Sequence, residues 1–296
     1  MCDMNKLLTI VTITYNRRET IKRLVRSLKN QSRMNFQWLI IDDGSTDGTS
    51  DYIKFVQKKE PFPIKLIRNS NRGKYKEINY ALSILNTKLM IIIDSDDYLI
   101  PRGAELIEEY WQKYSSVSDI GSMIFERGKM NEDEPIKTID HEFIDRRYYY
   151  LAKAKKYGDY SDVFVTDAVA NYRFPEFKKE KFMSEGPLYY YLSQRKLSVF
   201  IPKVLTVGSY LNNGLTKNIR YNQVKNYKGT LYETNLYLDV DTPFLFRIKK
   251  AILYNYVALC CPEKFSRIFK RNKHKGMLVL CLLPAILVYI KNKYEG

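Results

Sequence analysis

"LMIIIDSDDYLIP", Leu89 to Pro101, decides how this chain is read. Five apolar residues run into Asp94, Ser95, Asp96 and Asp97, and an apolar run then resumes. The apolar stretch has the composition of a strand covered on both faces. Three carboxylates at the mouth of such a strand repel one another, and each would take up a proton sooner than share the place. The pattern calls for a positive charge among them.

Outward from this stretch, the same alternation of apolar run and polar end recurs. "KLLTIVTITYN" (6–16) is a β-branched strand, and "RRETIKRLVRSLKNQ" a helix with Ile21, Leu24, Val25 and Leu28 at helical spacing. "FQWLIIDDGSTDGT" is a second strand ending in Asp42, Asp43 and Gly44; "SDYIKFVQKK" is a helix, "PIKLIRNS" a strand and "KYKEINYALSIL" a helix. With "KLMIIID" the first hundred residues read β-α-β-α-β-α-β, which predicts an α/β fold of parallel strands and right-handed helical crossovers. Ligands of such sheets sit outside the carboxyl ends of the strands. "TYNR", "DDGSTDG", "RNSNRGK" and "DSDD" therefore fall on one rim.

Asp94 and Asp96, two apart in a loop leaving the sheet, can turn toward one point. Mg²⁺ and Mn²⁺ take oxygen ligands, commonly one or two carboxylates plus substrate phosphates. The bland alternative is a solvated acidic turn before the helix "PRGAELIEEY", with Asp97 near its N-terminus. Asp42 or Asp43 can accept hydrogen bonds from a base or a ribose, or else cap a turn. Thr12, Tyr15 and Asn16 leave the first strand and can contact a base. "NRGK" (71–74) offers a flexible glycine and two cations, Arg72 and Lys74, to phosphates, although the chain has no P-loop pattern.

The net charge of +16 over 296 residues points to an anionic partner. Half of the excess lies in 241–296, with 11 Lys/Arg against 3 Asp/Glu. There "KFSRIFKRNKHKG" precedes "MLVLCLLPAILVYI", fourteen uncharged residues that include Pro284. A bilayer span needs about 20. We read a basic, apolar tail lying in the cytoplasmic membrane interface, with a buried packing helix and a true span as the alternatives. A nucleic-acid-binding protein would account for the charge, but rim carboxylates repel phosphates, and no zinc-finger or RNP-like pattern occurs. A nucleotidyltransferase would carry a glycine-rich loop after the first strand, and "TYNRRET" has none. Four cysteines without framework spacing suit a reduced, cytosolic setting and argue against zinc. The N-terminus has no basic region or cleavage site of a signal peptide.

"TIVTITYNR", "WLIIDDGSTDGT", "NRGKYKEINYAL" and "IIIDSDDYLIP" together resemble the family 2 glycosyltransferases of the nucleotide-diphospho-sugar transferase (GT-A) fold, in that family's order and spacing. The resemblance implies a nucleotide-sugar donor, UDP being the expected carrier. Its binding residues would be Thr12, Tyr15, Asn16, Asp42, Asp43, Arg72, Lys74, Asp94 and Ser95. A Mn²⁺ or Mg²⁺ ion is expected on Asp96 and Asp94, since "DSDD" resembles the family's D-x-D signature. Further along, "YRFPEFKKEKFMSEGPLYYYLSQRK" resembles the acceptor-side segment of bacterial members that build surface polysaccharides such as capsule. Many members open that helix with Glu-Asp, whereas this chain has Glu185-Gly186. Glu185 is the candidate catalytic base and Asp159 the reserve. "YLNNGLTKNIR" resembles a loop that closes over the diphosphate, through Thr216, Lys217 and Arg220.

The implied function is inverting transfer of a sugar to a hydroxyl of a lipid-linked saccharide, by an enzyme held peripherally on the inner face of the cell membrane, with no nucleic-acid partner. A catalytically inactive nucleotide-sugar-binding module is the alternative. The expected boundaries are a catalytic domain over 1–220, with a nucleotide-binding half (1–101) and an acceptor-side half (102–220), and a helical tail over 221–296. A homo-oligomer is left open.

Overall fold

The computed structural model describes residues 6–129, 138–147, 159–208, 219–239 and 241–294. The chain opens with β1 (Leu8–Thr14), α1 (Ile21–Lys29), β2 (Phe36–Asp42), α2 (Thr49–Gln57), β3 (Ile64–Arg68), α3 (Lys74–Ile84) and β4 (Leu89–Ile92). The β1–β2, β1–β4 and β2–β3 pairs are all parallel, as the alternation predicts. Every residue of β1 and β2 is buried. Successive side chains of a strand point to opposite faces. Leu8, Ile10, Trp38 and Ile40 accordingly meet Ile21 and Leu24 of α1 and Ile53 of α2. Val11, Ile13, Leu39 and Ile41 meet Tyr75 and Ile78 of α3. Two covered faces explain why these strands read as continuous apolar runs.

The second half adds β5 (Tyr98–Leu99), α4 (Gly103–Tyr114), β6 (Ile120–Lys129), β7 (Phe143–Asp145), β8 (Tyr160–Val165), α5 (Thr166–Val169), α6 (Gly186–Ser193) and β9 (Leu197–Gly208). One sheet runs in the order β3-β2-β1-β4-β8-β6-β9-β5, with β7 beside β9. β8 lies antiparallel to both β4 and β6. This reversal brings the start of β8 and the end of β6 to the end of the sheet where β1, β2 and β4 finish. β9 is a single strand, and its register against β6 shifts on both sides of Glu126. Such irregularities re-aim side chains, here next to Arg127.

The tail consists of α7 (Ile219–Lys225), α8 (Tyr227–Leu236), α9 (Phe244–Cys260), α10 (Phe265–Arg271), α11 (Lys275–Leu280) and α12 (Leu282–Tyr294). It has a small core of its own, in which Leu238, Ala251, Tyr254, Ile268, Leu278 and Cys281 meet. The fourteen-residue uncharged run is two helices that break at Cys281. Pro284 falls in the first turn of α12, where a missing N–H leaves no intrahelical bond unmade. Among the described residues no helix is long and apolar enough to cross a membrane.

Candidate active site

Hydrogen bonds between neighbouring loops hold the rim together. Asp42, fully buried at the end of β2, accepts from Ser45 N (2.9 Å) and from the Ser50 hydroxyl, closing the turn into α2. Asp43 accepts from the backbone N–H groups of Arg72 (2.7 Å) and Gly73 (2.8 Å), tying the second rim loop to the third. Burial raises the Asp43 pKa, against the pull of these two bonds. Gly73 has φ +103°, and a Cβ there would lie 2.1 Å from the Lys181 carbonyl oxygen, so only glycine fits. Asn16, at φ 51°, accepts from Thr46 N (2.8 Å) and so ties the first loop to the second. Arg72 pairs through its Nε with the buried Glu77 (2.9 Å).

Thr12 is a correction to the sequence reading. It lies inside β1, fully buried, and its hydroxyl accepts from Trp38 Nε1–H at 3.0 Å. A residue two places before a covered strand ends is still in the core. Tyr15, beyond that end, is 46% exposed and stands on the rim. Ser95 is buried.

The positive charge that "DSDD" demands comes first from Lys74, the residue that opens α3. Its Nζ lies 2.6 Å from Asp94 Oδ1 and 2.7 Å from Glu185 Oε1. Burial opposes the ammonium, but Asp94 and then Glu185 outweigh it, and its pKa rises above the ordinary lysine value. Burial likewise disfavours the Asp94 carboxylate, yet Lys74, with Arg127 and Arg17 farther off, holds its pKa below the usual range. Asp97 forms a two-pronged pair with Arg127, at 3.0 Å (Nε) and 2.7 Å (Nη2). Burial pushes Asp97 up to about 6 despite that partner, and the charges of Asp94 and Asp96 add to the rise. Arg127 also reaches Asp159 at 2.8 Å. Asp96 forms no ion pair among the described residues. Burial, and after it the Asp94 charge, raises its pKa. The three carboxylates thus differ in their surroundings: Asp94 shares a lysine, Asp97 is clamped, and Asp96 has no ion partner among the described residues.

Glu185 sits at the N-terminal end of α6, with Pro187 in the first turn. The Tyr189 hydroxyl donates to its Oε2 at 3.4 Å. The Tyr189 ring lies 3.7 Å from the guanidinium carbon of Arg147, which is itself buried in a two-pronged pair with Asp162. A Cβ on Gly186 would lie 2.1 Å from the Tyr237 hydroxyl and 3.1 Å from Glu233 Oε1. The missing Asp is therefore a matter of space, because a tail residue fills the notch that a side chain at 186 would need. Arg220 is exposed on α7 and bonds Gln223 at 3.1 Å. Thr216 and Lys217 lie outside the described residues.

Lys74, Asp94, Glu185 and Tyr189 thus meet at one point, with Asp97, Arg127 and Asp159 alongside. Arg127, Arg147, Tyr189 and Tyr237 escaped the sequence reading. The signal for Arg127 was the Glu126-Arg127 pair that follows the apolar "MIF" in "GSMIFERGK"; charges within a buried strand must be paired.

The sequence model described as Glycosyl transferase family 2 matches residues 9–176, more than half of the chain. The chain belongs to the family 2 glycosyltransferases. This glycosyltransferase is 24% identical over 297 residues to the GalNAc(5)-diNAcBac-PP-undecaprenol beta-1,3-glucosyltransferase of Campylobacter jejuni, covering 96% of this chain and 92% of that protein. Other curated relatives match over about a third of their own length. Among solved structures it resembles TarS 1-349 of S. aureus in complex with UDP-GlcNAc (TM-score 0.62, 13% identity, 96% of this chain and 92% of that one). It also resembles the mannosyltransferase PcManGT of Pyrobaculum calidifontis in complex with GDP-Man and Mn2+ (TM-score 0.56, 16% identity, 97% and 79%). These likenesses establish the GT-A fold for the glycosyltransferase.

Proposed function

We propose that this chain transfers a sugar, with inversion, from a UDP-sugar to a hydroxyl of a lipid-linked saccharide at the inner face of the cell membrane, in synthesis of a surface glycan such as capsule. The observation that carries the reading is the Lys74 ammonium shared between Asp94 and Glu185. One side chain spans the gap between the donor-side carboxylate and the acceptor-side carboxylate, so a sugar held against the first lies beside the second. The relative from Campylobacter jejuni, whose name gives a diphosphate-linked undecaprenol and a beta-1,3 linkage, supports the acceptor class; a beta linkage made from an alpha-linked donor is an inversion. TarS with UDP-GlcNAc supports the donor class.

In this reading 1–101 binds the nucleotide, 102–220 shapes the acceptor side, and 221–296 is the membrane-associating tail. Asp43 and Asn16 set the loops around Tyr15 that receive the base and ribose, and Arg72 faces the phosphates. Glu185 takes the proton of the acceptor hydroxyl as its oxygen bonds to the anomeric carbon from the face opposite the diphosphate. The bond from that carbon to the phosphate oxygen breaks, and its electron pair leaves with UDP. Tyr189 steadies Glu185 from one side and Lys74 from the other. Among the described residues no three His, Cys, Asp or Glu side chains converge on one point. Two carboxylates are enough for an ion that also takes phosphate oxygens, and Asp96, without an ion pair among the described residues, fits one. Asp96, with Asp94, would hold Mn²⁺ or Mg²⁺, which when bound neutralises charge on the departing diphosphate.

Calorimetric titration of UDP with Mn²⁺, with EDTA, and on Asp96→Ala tests the reading. Binding that needs both the ion and Asp96 supports it. Binding indifferent to both makes "DSDD" a structural turn and ends this mechanism.

A further inference from the structure

The outer side of α11 and α12 carries more exposed aliphatic surface than packing within the chain accounts for. The inner side is well used: Leu278, Cys281 and Ala285 are buried, the first two against Tyr254 and Ala251 of α9. Asn255 Nδ2 donates to the Leu278 carbonyl at 2.8 Å, and Asn292 Nδ2 to the Tyr256 hydroxyl at 3.2 Å. The two helices are therefore fastened to the body. On the other side Val279, Leu280, Leu283, Leu287 and Ile290 are 45 to 67% exposed, and Pro284 is exposed beside them. No charged or hydrogen-bonding side chain other than Tyr289 interrupts 277–290. Lys273 and Lys275 precede the ridge, Lys291 and Lys293 follow it, and all four are exposed.

A helix apolar all round is normally enclosed by protein or lipid. The thirteen residues of α12 rise about 20 Å, short of the roughly 30 Å hydrocarbon core, so the helix would lie along a bilayer and not cross it. Two occupants would cover such a ridge, a second copy of the chain or a lipid surface. Charge decides between them. The segment 241–296 carries +8, so two copies apposed here would repel, whereas an anionic headgroup layer attracts lysines that flank an apolar face.

We infer that α11 and α12 form the membrane-docking face, with Leu283 and Leu287 sunk into the acyl boundary of an anionic phospholipid bilayer and the flanking lysines at its headgroups. The inference rests on the membrane location proposed above and adds the face and the lipid chemistry. Burying an exposed leucine is worth about tenfold in affinity, and a lysine at an anionic surface roughly fivefold.

The test is sedimentation of the full chain with vesicles of phosphatidylglycerol and phosphatidylethanolamine, and with vesicles of phosphatidylcholine alone. The wild-type protein should bind the anionic vesicles and bind the neutral ones at least tenfold more weakly. Leu283→Asp/Leu287→Asp should lose about a hundredfold or more. Phe55→Asp, which alters a comparably exposed side chain on α2 (54%), should bind as the wild type does. Unchanged thermal unfolding of the double variant confirms its fold. Failure of the wild type to sediment, equal loss in Phe55→Asp, or light scattering that shows a dimer which the two aspartates dissolve would each overturn the inference. Titration of UDP into the same samples reads the transferase proposal separately.

Discussion

The two sides of the proposed site, donor and acceptor, are built in opposite ways. The donor side is local. Asn16, Asp42, Asp43 and Gly73 stand at the ends of successive strands, and each binds the loop beside it. The acceptor side is assembled from afar. Glu185 meets Lys74 across 111 positions, and Gly186 is shaped by Tyr237 from the tail, 51 positions on. A locally built site writes itself into short motifs, since turn chemistry restricts which residues can stand there. A site built by packing leaves only isolated residues, each with an ordinary alternative explanation.

This difference governs how much could be read in advance. The β-α alternation, the parallel sheet and the common rim were legible because strands covered on both faces need continuous apolar runs. Glu185 was legible only through a resemblance. Arg127 was hidden because nothing near "FERGK" says that β8 reverses beside β4 and brings this arginine against "DSDD". Thr12 was misplaced because composition shows that a strand is buried but not where burial stops. In the sequence, Gly186 is only a departure from the Glu-Asp of many members. It is a fit between two parts of the chain that no local pattern records.

The contrast can be broken at its most consequential joint first. Glu185→Gln keeps the size of the side chain and removes the proposed base, so transfer should fall by about 10²–10⁴ with UDP affinity retained; a variant that still turns over near the wild-type rate would shift attention to Asp159. Next in size is the clamp between the halves. Arg127→Met leaves the Asp97 carboxylate without its partner, and chemical denaturation should register a loss of about 3–5 kcal/mol. A smaller effect is expected where the tail meets α6. Gly186→Ala puts a methyl group 2.1 Å from the Tyr237 hydroxyl oxygen and should destabilise by about 1–3 kcal/mol. Tyr237→Phe in the same chain should recover part of that loss, and if it recovers none, the notch is not what selects glycine.

The smallest effect is expected outside the proposed machinery and sharpens the comparison with a cluster that the mechanism does not use. Glu142 accepts hydrogen bonds from Tyr110 (2.8 Å) and Tyr114 (2.6 Å) of α4 and pairs with Lys113 at 2.5 Å. Burial opposes its charge, but Lys113 and the two tyrosines hold its pKa down at about 2, from an ordinary 4.5. A depressed carboxylate stabilises the fold above its unfolded pKa and loses that contribution as pH falls from 4.5 through about 2. The contribution, discounted for solvent screening, is about 1 kcal/mol. Thermal unfolding of Glu142→Gln should therefore differ from the wild type at pH 6 and converge with it near pH 2. A constant offset across that range would place the loss in packing and not in charge.

Tyr237 seated against Gly186 also bears on how this chain can change over time. A tail joined only by a tether could be swapped for another, and the enzyme would keep its chemistry while changing its address. Here the segment from 221 onward supplies part of the wall beside α6, so exchanging it would open a notch at position 186. A recombinant that took a new C-terminal segment would leave that notch empty unless a side chain at 186 filled it.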